Sequence, residues 1–431
     1  MLQKIVYLIF VIVFLFSCKS NTETKEIASS PSEETTNYDN QIAQIDKIDS
    51  LANRYLDLGR FSGTLLIAQN DSIIFNKSYG LADYVTIKEF TDSTAFKIGH
   101  LSELFTEAII RDMINQNLIQ SNEKIATYIP QIKQNFTVEE LLNHKSNLQT
   151  IAQIQEVNPN KTYSLIDYVN LSNNENDKAA EIQSELDYNI LGLVIEKVTK
   201  KTFSEVLEQY AQKWNLESTY FHKTDTTHLA IGYLFYNYRN QGLKITPSPK
   251  YQDSMAFSSR GIKATVKDIF KFVNNFENQS LDKEGYLMND GFSYSLKKDN
   301  DKKRTVLILS NRKHPVAREM SESIEKILNN EEYELPLIRQ EIAINPDLLK
   351  EYEGVYAMNS TMNLTFVAEN DSLFVIMGEN KVELKPQSEN QFFMNESDAS
   401  IRFERDENNK VAKAILLDGF LEGNTILKVK G

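Results

Sequence analysis

The sequence predicts an α+β body followed by a small antiparallel β-barrel, and three patterns carry that reading. Residues 62–80 read as a hairpin, two apolar-rich strands around a Gln69-Asn70-Asp71 turn. Leu101, Leu104, Phe105, Ala108, Ile109 and Met113 recur at three- and four-residue intervals, which marks one buried helix face. From about residue 344 onward apolar and polar residues alternate, as in Leu364/Phe366, Leu373/Val375/Met377, Ile401/Phe403, Ile415/Leu417 and Leu427/Val429. Period two between polar turns such as Glu369-Asn-Asp-Ser372 and Asp406-Glu-Asn-Asn409 indicates antiparallel strands with one buried face. Seven or so such strands close a small barrel or stack as a sandwich.

In the body, the hairpin comes first and the helix over 101–113 follows. A second helical pattern covers residues 190 to about 213, and a third covers 265–276. Thr305-Val-Leu-Ile-Leu-Ser310 reads as a buried strand, and residues 316–328 as a closing helix. Strands at both ends with helices between them give an α/β sandwich, an antiparallel sheet with helices packed on its faces.

The 431 residues suffice for two or three domains of ~100–200 residues each, and 41% hydrophobic residues can fill real cores. Collagenous, coiled-coil and wholly disordered classes are excluded. Lys and Arg number 47 against 60 Asp and Glu, a net charge of −13, with no basic run beyond the first few residues. A nucleic-acid partner therefore lacks its electrostatic footprint. The one cysteine, Cys18, rules out internal disulfides, zinc ribbons and cysteine redox chemistry. His100, His144, His222, His228 and His314 never fall at HxxxH spacing, which excludes a zincin helix. The aromatic residues give no cofactor signal, and no cofactor is expected.

Lys4 precedes an apolar run over residues 5–16 that is ~18 Å long as a helix. That is too short for the ~30 Å of a bilayer core. With small Ser17 at its end it reads as a secretory signal. Residues 19–40 are Ser, Thr, Glu, Asn and Pro with almost no large apolar side chain, so they cannot offset their ordering entropy and read as a tether. The expected organisation is a signal peptide over 1–17, a disordered tether over 18–40, the α/β domain over 41–331, a linker over 332–343 and the β-domain over 344–431.

Leu15-Phe16-Ser17-Cys18 resembles the bacterial lipobox, whose cysteine is lipidated and becomes the new N-terminus. In the body, Phe61-Ser-Gly-Thr-Leu-Leu-Ile-Ala68, Phe96-Lys-Ile-Gly99, Phe105-Thr106, the stretch ending Tyr128-Ile-Pro130, Thr137-Val-Glu-Glu-Leu-Leu-Asn-His144, Leu191-Gly-Leu-Val-Ile-Glu-Lys-Val198 and Gly261-Ile-Lys-Ala-Thr-Val-Lys-Asp268 follow one family in order. They resemble the penicillin-recognising serine hydrolases related to class C β-lactamases, penicillin-binding proteins and D-alanyl-D-alanine carboxypeptidases, over roughly residues 42–330. The resemblance implies the β-lactamase/transpeptidase-like fold. Leu348-Leu-Lys-Glu-Tyr-Glu-Gly-Val-Tyr356 resembles the entry to the lipocalin-like domain often appended to such hydrolases.

In that family the chemistry rests on Ser-x-x-Lys, Tyr-x-Asn and a His-x-Gly or Lys-Thr-Gly edge strand. Aligned on its anchors, this chain carries His100 at the nucleophile position and Glu103 at the lysine position. Counting back from Leu191-Gly192 places Gln183 and Glu185 at the tyrosine and asparagine positions. Gly285-Tyr286-Leu287 matches the edge-strand element, and no cationic or hydrogen-bonding strand residue is evident there. The Ser-x-x-Lys strings at Ser121/Lys124, Ser280/Lys283, Ser295/Lys298, Ser310/Lys313 and Ser323/Lys326 lack the strand, glycine and helix start that the motif requires. Near a helix N-terminus a carboxylate gains ~0.3–1 kcal/mol where a lysine loses as much. Glu103 is thus the stabilising residue once chemistry is gone, and His100 with Glu103 fits a capping arrangement. Asn147, in His144-Lys-Ser-Asn-Leu148 where relatives have Ser-Gly-Leu, suits a left-handed backbone.

The reading that follows is a catalytically degenerate envelope lipoprotein, a binding or interaction module held to the membrane through Cys18, with a cell-wall peptide or another envelope protein as partner. Two alternatives stay open: an active serine hydrolase whose nucleophile lies elsewhere, and a metal or acid/base site built from His100, Glu103 and Glu185. Replacing Cys18 by serine is expected to release the protein from membranes or block its processing. Membrane attachment that persists without incorporation of labelled acyl chains would reject the lipobox.

Overall fold

The computed structural model describes residues 33–151, 154, 164–172, 183–223, 225–237, 243–248, 256–276, 280–287, 290–312, 316–358, 363–377, 380–394, 399–418 and 423–430. The segment expected as a signal, Cys18, the expected tether up to residue 32 and His314 lie outside the described residues. Gln44–Gly431 form one compact unit. No described helix is long and apolar enough to cross a membrane.

The body is built on a five-stranded antiparallel sheet in the order Ser72–Tyr79, Gly63–Gln69, Arg304–Ser310, Phe292–Asp299, Leu281–Leu287. Asn70 and Asp71 turn the first hairpin with φ of 50° and 63°, the left-handed pair that a tight two-residue hairpin needs. The two central strands are buried on both faces, which is why they read as unbroken apolar runs. Alternate side chains feed different cores: Leu65, Ile67, Val306 and Ile308 join one cluster, and Leu66, Ala68, Leu307 and Leu309 the other. Gly63 allows the strands to meet, because a Cβ there would come within 2.0 Å of the Leu309 carbonyl oxygen.

On the first face lie the helices Glu33–Asp57, through Ile48, Leu51, Ala52 and Tyr55, and Val316–Leu328. The first of these begins at Glu33, inside the segment expected as a tether. Once an apolar stripe has fixed a helix, adding polar turns costs little, so composition alone misplaces the boundary. On the second face lie the helices Ser102–Asn115, Glu185–Thr199, Phe203–Lys213 and Val266–Phe276. The helical pattern expected over 190–213 is two helices. Lys200 adopts a left-handed φ of 58° and Thr202 opens the next helix with a capping box to Glu205.

The C-terminal part is a closed barrel of eight antiparallel strands, one more than the alternation suggests, running from Gly354–Ala357 to Thr425–Lys430 with first and last paired. Tyr356, Phe366, Val375, Phe392, Phe403 and Ile426 fill it, and the helix Pro346–Tyr352 closes it with Tyr352 stacked on Phe403 at 4.4 Å. The connection over 332–343 carries no regular structure but is pinned at both ends. Arg54 Nη1 donates to the Pro336 carbonyl at 2.9 Å, and the Ile342 N–H donates to the Pro386 carbonyl at 2.9 Å.

One surface turn is strained. Between Asp83 and Lys88, which pair through their backbones, Ile87 sits at φ 56° with 76% of its surface exposed. A β-branched residue in that conformation costs ~1–2 kcal/mol, with no burial in return. Ile87→Asn is expected to raise the urea midpoint by the equivalent of about 1 kcal/mol. An unchanged or lower midpoint would show that the isoleucine is stabilised in place.

Candidate active site

His100 stands in the 3₁₀ turn Gly99–Leu101, which leads directly into the Ser102–Asn115 helix. The turn is held against the strand pair Phe96–Lys97 and Lys263–Ala264: the Ile98 N–H donates to the Ile262 carbonyl, and the Ile262 N–H donates to Ser102 Oγ at 3.1 Å. Glu103 follows in the first helical turn and points inward, with 8% of its side chain exposed. Its Oε1 accepts from His100 Nδ1 at 2.9 Å, and its Oε2 lies 3.5 Å from His144 Nε2. The pair is a side-chain bond, not the backbone cap expected, since no side chain caps this helix.

His144 arrives from the far side. The helix Val138–Leu142, opened by a Thr137–Glu140 capping box, ends with His144 at φ 51°, and Asn147 follows at φ 57° in the left-handed backbone foreseen for it. His144 Nδ1 then meets Asp187 Oδ2 at 3.1 Å, and Ser146 Oγ donates to Asp187 Oδ1. Asp187 lies in the first turn of the Glu185–Thr199 helix and is fully buried. The result is one chain of contacts, His100, Glu103, His144, Asp187, Ser146.

The electrostatics follow from that geometry. Burial pushes the Glu103 carboxyl up, but bonds to His100 and His144 outweigh it and hold the group below the usual carboxylate range. Burial opposes the His144 imidazolium, yet its bonds to Asp187 and Glu103 prevail and the pKa is pushed up to about 9. Asp187 is raised, because burial and the neighbouring Glu103 charge exceed the help from His144 and Ser146.

The other expected positions lie apart from this chain. Glu185 is buried, and its Oε1 accepts from the Ile151 N–H at 3.1 Å and from Arg260 Nη2 at 3.4 Å. Its carboxylate is therefore engaged elsewhere, and the metal site of His100, Glu103 and Glu185 does not assemble. Among the described residues no three His, Cys, Asp or Glu side chains group so as to hold a metal. Gln183 is exposed at the entry to its helix. The serines nearby spend their hydroxyls on backbone groups: Ser102 on Ile262, Ser184 on Gln149, Ser258 on Tyr188 and Ser259 on Ala256.

The edge strand Leu281–Leu287 carries a cation after all, Lys283, two residues before Gly285 and so on the same face. Glu284 faces the other way, to Arg318 at 3.3 Å. Opposite Gly285 stands Tyr294, and a Cβ on Gly285 would come within 2.6 Å of the Tyr294 hydroxyl oxygen. The His100 backbone N–H favours the ionised form of that phenol. Burial, together with the Glu103 charge, holds it protonated well above the usual tyrosine range. Local sequence gave no sign of Tyr294 or Arg260. Asp187 left a trace, an acid inside the apolar run of a buried helix, where it demands a partner.

His144 has a folded pKa above its ordinary 6.5, so its stabilisation is complete below about 6.5 and disappears as pH rises through about 9. The wild type is therefore expected to lose on the order of 1–2 kcal/mol between those limits, allowing for solvent screening, while His144→Gln loses none of it. Parallel urea-midpoint profiles of the two proteins over this range would refute the assignment.

Known proteins resemble this architecture. Protein flp of Staphylococcus aureus (strain MW2) is 24% identical over 202 residues, 43% of this chain and 41% of its own length. The chain thus spans about two fifths of that relative. The crystal structure of FmtA from Staphylococcus aureus superposes with a TM-score of 0.55 at 20% identity, covering 69% of this chain and 93% of its own. The octameric penicillin-binding protein homologue from Pyrococcus abyssi superposes with a TM-score of 0.54 at 16% identity, covering 89% of this chain and all of its own. These structures share the fold. The family described as Beta-lactamase matches residues 48–290, more than half of the chain, and the chain belongs to that penicillin-binding-protein-like serine hydrolase family.

Proposed function

We propose that this chain is an envelope lipoprotein whose β-lactamase-type domain serves as a non-catalytic binding module, without Ser-Lys acylation. The observation that carries this reading is the Glu103 carboxylate, buried and charged at the position of the base, with an imidazole instead of a hydroxyl one turn before it. Acyl transfer needs a nucleophilic oxygen, a base within reach and donors aimed at the developing oxyanion. Here the Tyr294 phenol, held neutral by burial and by the Glu103 charge, fills the space over Gly285 on the edge strand. An acyl group on His100 would hydrolyse readily and leave no stable adduct. Anchoring through Cys18 and an envelope ligand such as a cell-wall peptide complete the proposal.

A fluorescent penicillin is expected to leave the protein unlabelled, with β-lactam turnover no higher than a heat-treated control. His100→Ser combined with Glu103→Lys should not restore labelling, because the new lysine would face the His144 imidazolium and Gln183 would still be unable to exchange a proton. Stoichiometric labelling of the wild type would overturn the reading, and mapping the modified residue would reveal the nucleophile of an active hydrolase.

A further inference from the structure

The groups accessible around the site are donors and cations, although the chain as a whole carries −13. Glu103 and Glu185 keep only 8% and 7% of their side chains exposed, and both are already bonded. His100 and Arg260 expose 43% and 31%, and Lys283 is exposed on the Gly285 face of the edge strand. The negative charge that Glu185 adds is thus taken up internally.

Arg260 ends the short helix Phe257–Arg260, which is fixed to the Ser102–Asn115 helix by the bond from Thr106 Oγ1 to the Ser258 carbonyl at 2.8 Å. Its guanidinium has five N–H donors in a planar fork. Glu185 uses one of them, Nη2, through a single oxygen at 3.4 Å, and shares that oxygen with the Ile151 N–H. The Arg260 Nε is buried with no hydrogen-bond partner among the described residues. A buried donor left unpaired is costly, and a carboxylate with two free oxygens satisfies such a fork far better than Glu185 does.

We propose that the pocket binds a ligand carboxylate on the Arg260 guanidinium, and that Glu185 stands in for that carboxylate in the free protein. The proposal rests on the non-acylating reading, since it requires a ligand held without a covalent bond. The planar, two-oxygen group already placed at Arg260 by Glu185 selects a carboxylate over a tetrahedral phosphate. Binding exchanges one carboxylate for another, so removing the internal one strengthens it.

The test is calorimetric titration of the full chain and its variants with benzoate, phenyl phosphate and the neutral isostere benzamide. Benzoate is expected to bind saturably and benzamide not at all. Glu185→Gln should bind benzoate ~10-fold more tightly and Arg260→Gln at least ~10-fold more weakly. Arg260→Lys keeps the charge but loses the fork, and decides the matter by the same ~10-fold weakening if Arg260→Gln does not fold. Equal binding of benzamide, tighter binding of phenyl phosphate, benzoate affinity unchanged in both Arg260 variants, or no benzoate binding to Glu185→Gln would each overturn the proposal. Mass spectrometry after penicillin treatment separates the two ideas. A covalent adduct refutes the non-acylating reading whatever the titrations give.

Discussion

A single buried carboxylate, Glu103, sets the terms for the rest of the site. Moving an ion out of water costs several kcal/mol unless partners surround it, so a chain that keeps one in its core must supply those partners. Glu103 obtains His100 from its own helical turn and His144 from 41 positions along the chain. His144 can then be charged, and a charged, largely buried imidazole in turn requires Asp187. Asp187, repelled by Glu103, takes the Ser146 hydroxyl on its other oxygen. Each residue answers a need created by the one before it.

That dependence ties His100, Glu103 and His144 to one another. A lysine at position 103 would stand beside the His144 imidazolium and lose a bond to His100. A serine at position 100 would leave one Glu103 oxygen short of a strong donor. The first change sets like charges side by side and the second weakens the pairing of a buried carboxylate, both unfavourable in a buried site. The macrodipole at the start of the helix points the same way, favouring a carboxylate there by ~0.3–1 kcal/mol. Electrostatics, independent of any chemistry, thus keeps His100, Glu103 and His144 as a set.

The scaffold was legible in the sequence because its causes are local. The hairpin turn, the period-two strands of the barrel and the periodic face of the helix over 101–113 all depend on neighbours within a few residues. Where the reading failed, the cause was distant or had no compositional mark. The break at Lys200 is one left-handed residue in a continuous helical pattern, and the helix from Glu33 runs through polar turns that a linker could equally use. The candidate site was legible only as residue types at four positions. That Glu103 meets His144, that Arg260 takes Glu185 across 75 positions, and that Tyr294 packs over Gly285 are facts of tertiary folding. A sequence pattern names the side chains but not their partners.

Gly285 carries the same argument to the edge of the sheet. In an active relative, a glycine on this strand would be explained by substrate approaching its backbone. Here the space above it is taken by Tyr294, whose hydroxyl would lie within 2.6 Å of any Cβ at that position. The phenol rests across the strand and is kept neutral by burial and by the Glu103 charge. The glycine is therefore required by packing within the chain, and its presence says nothing about catalysis. A neutral tyrosine fills the space over Gly285. With its proton kept, the phenol adds no negative charge to the pocket, so the packing that requires Gly285 is compatible with holding an anion.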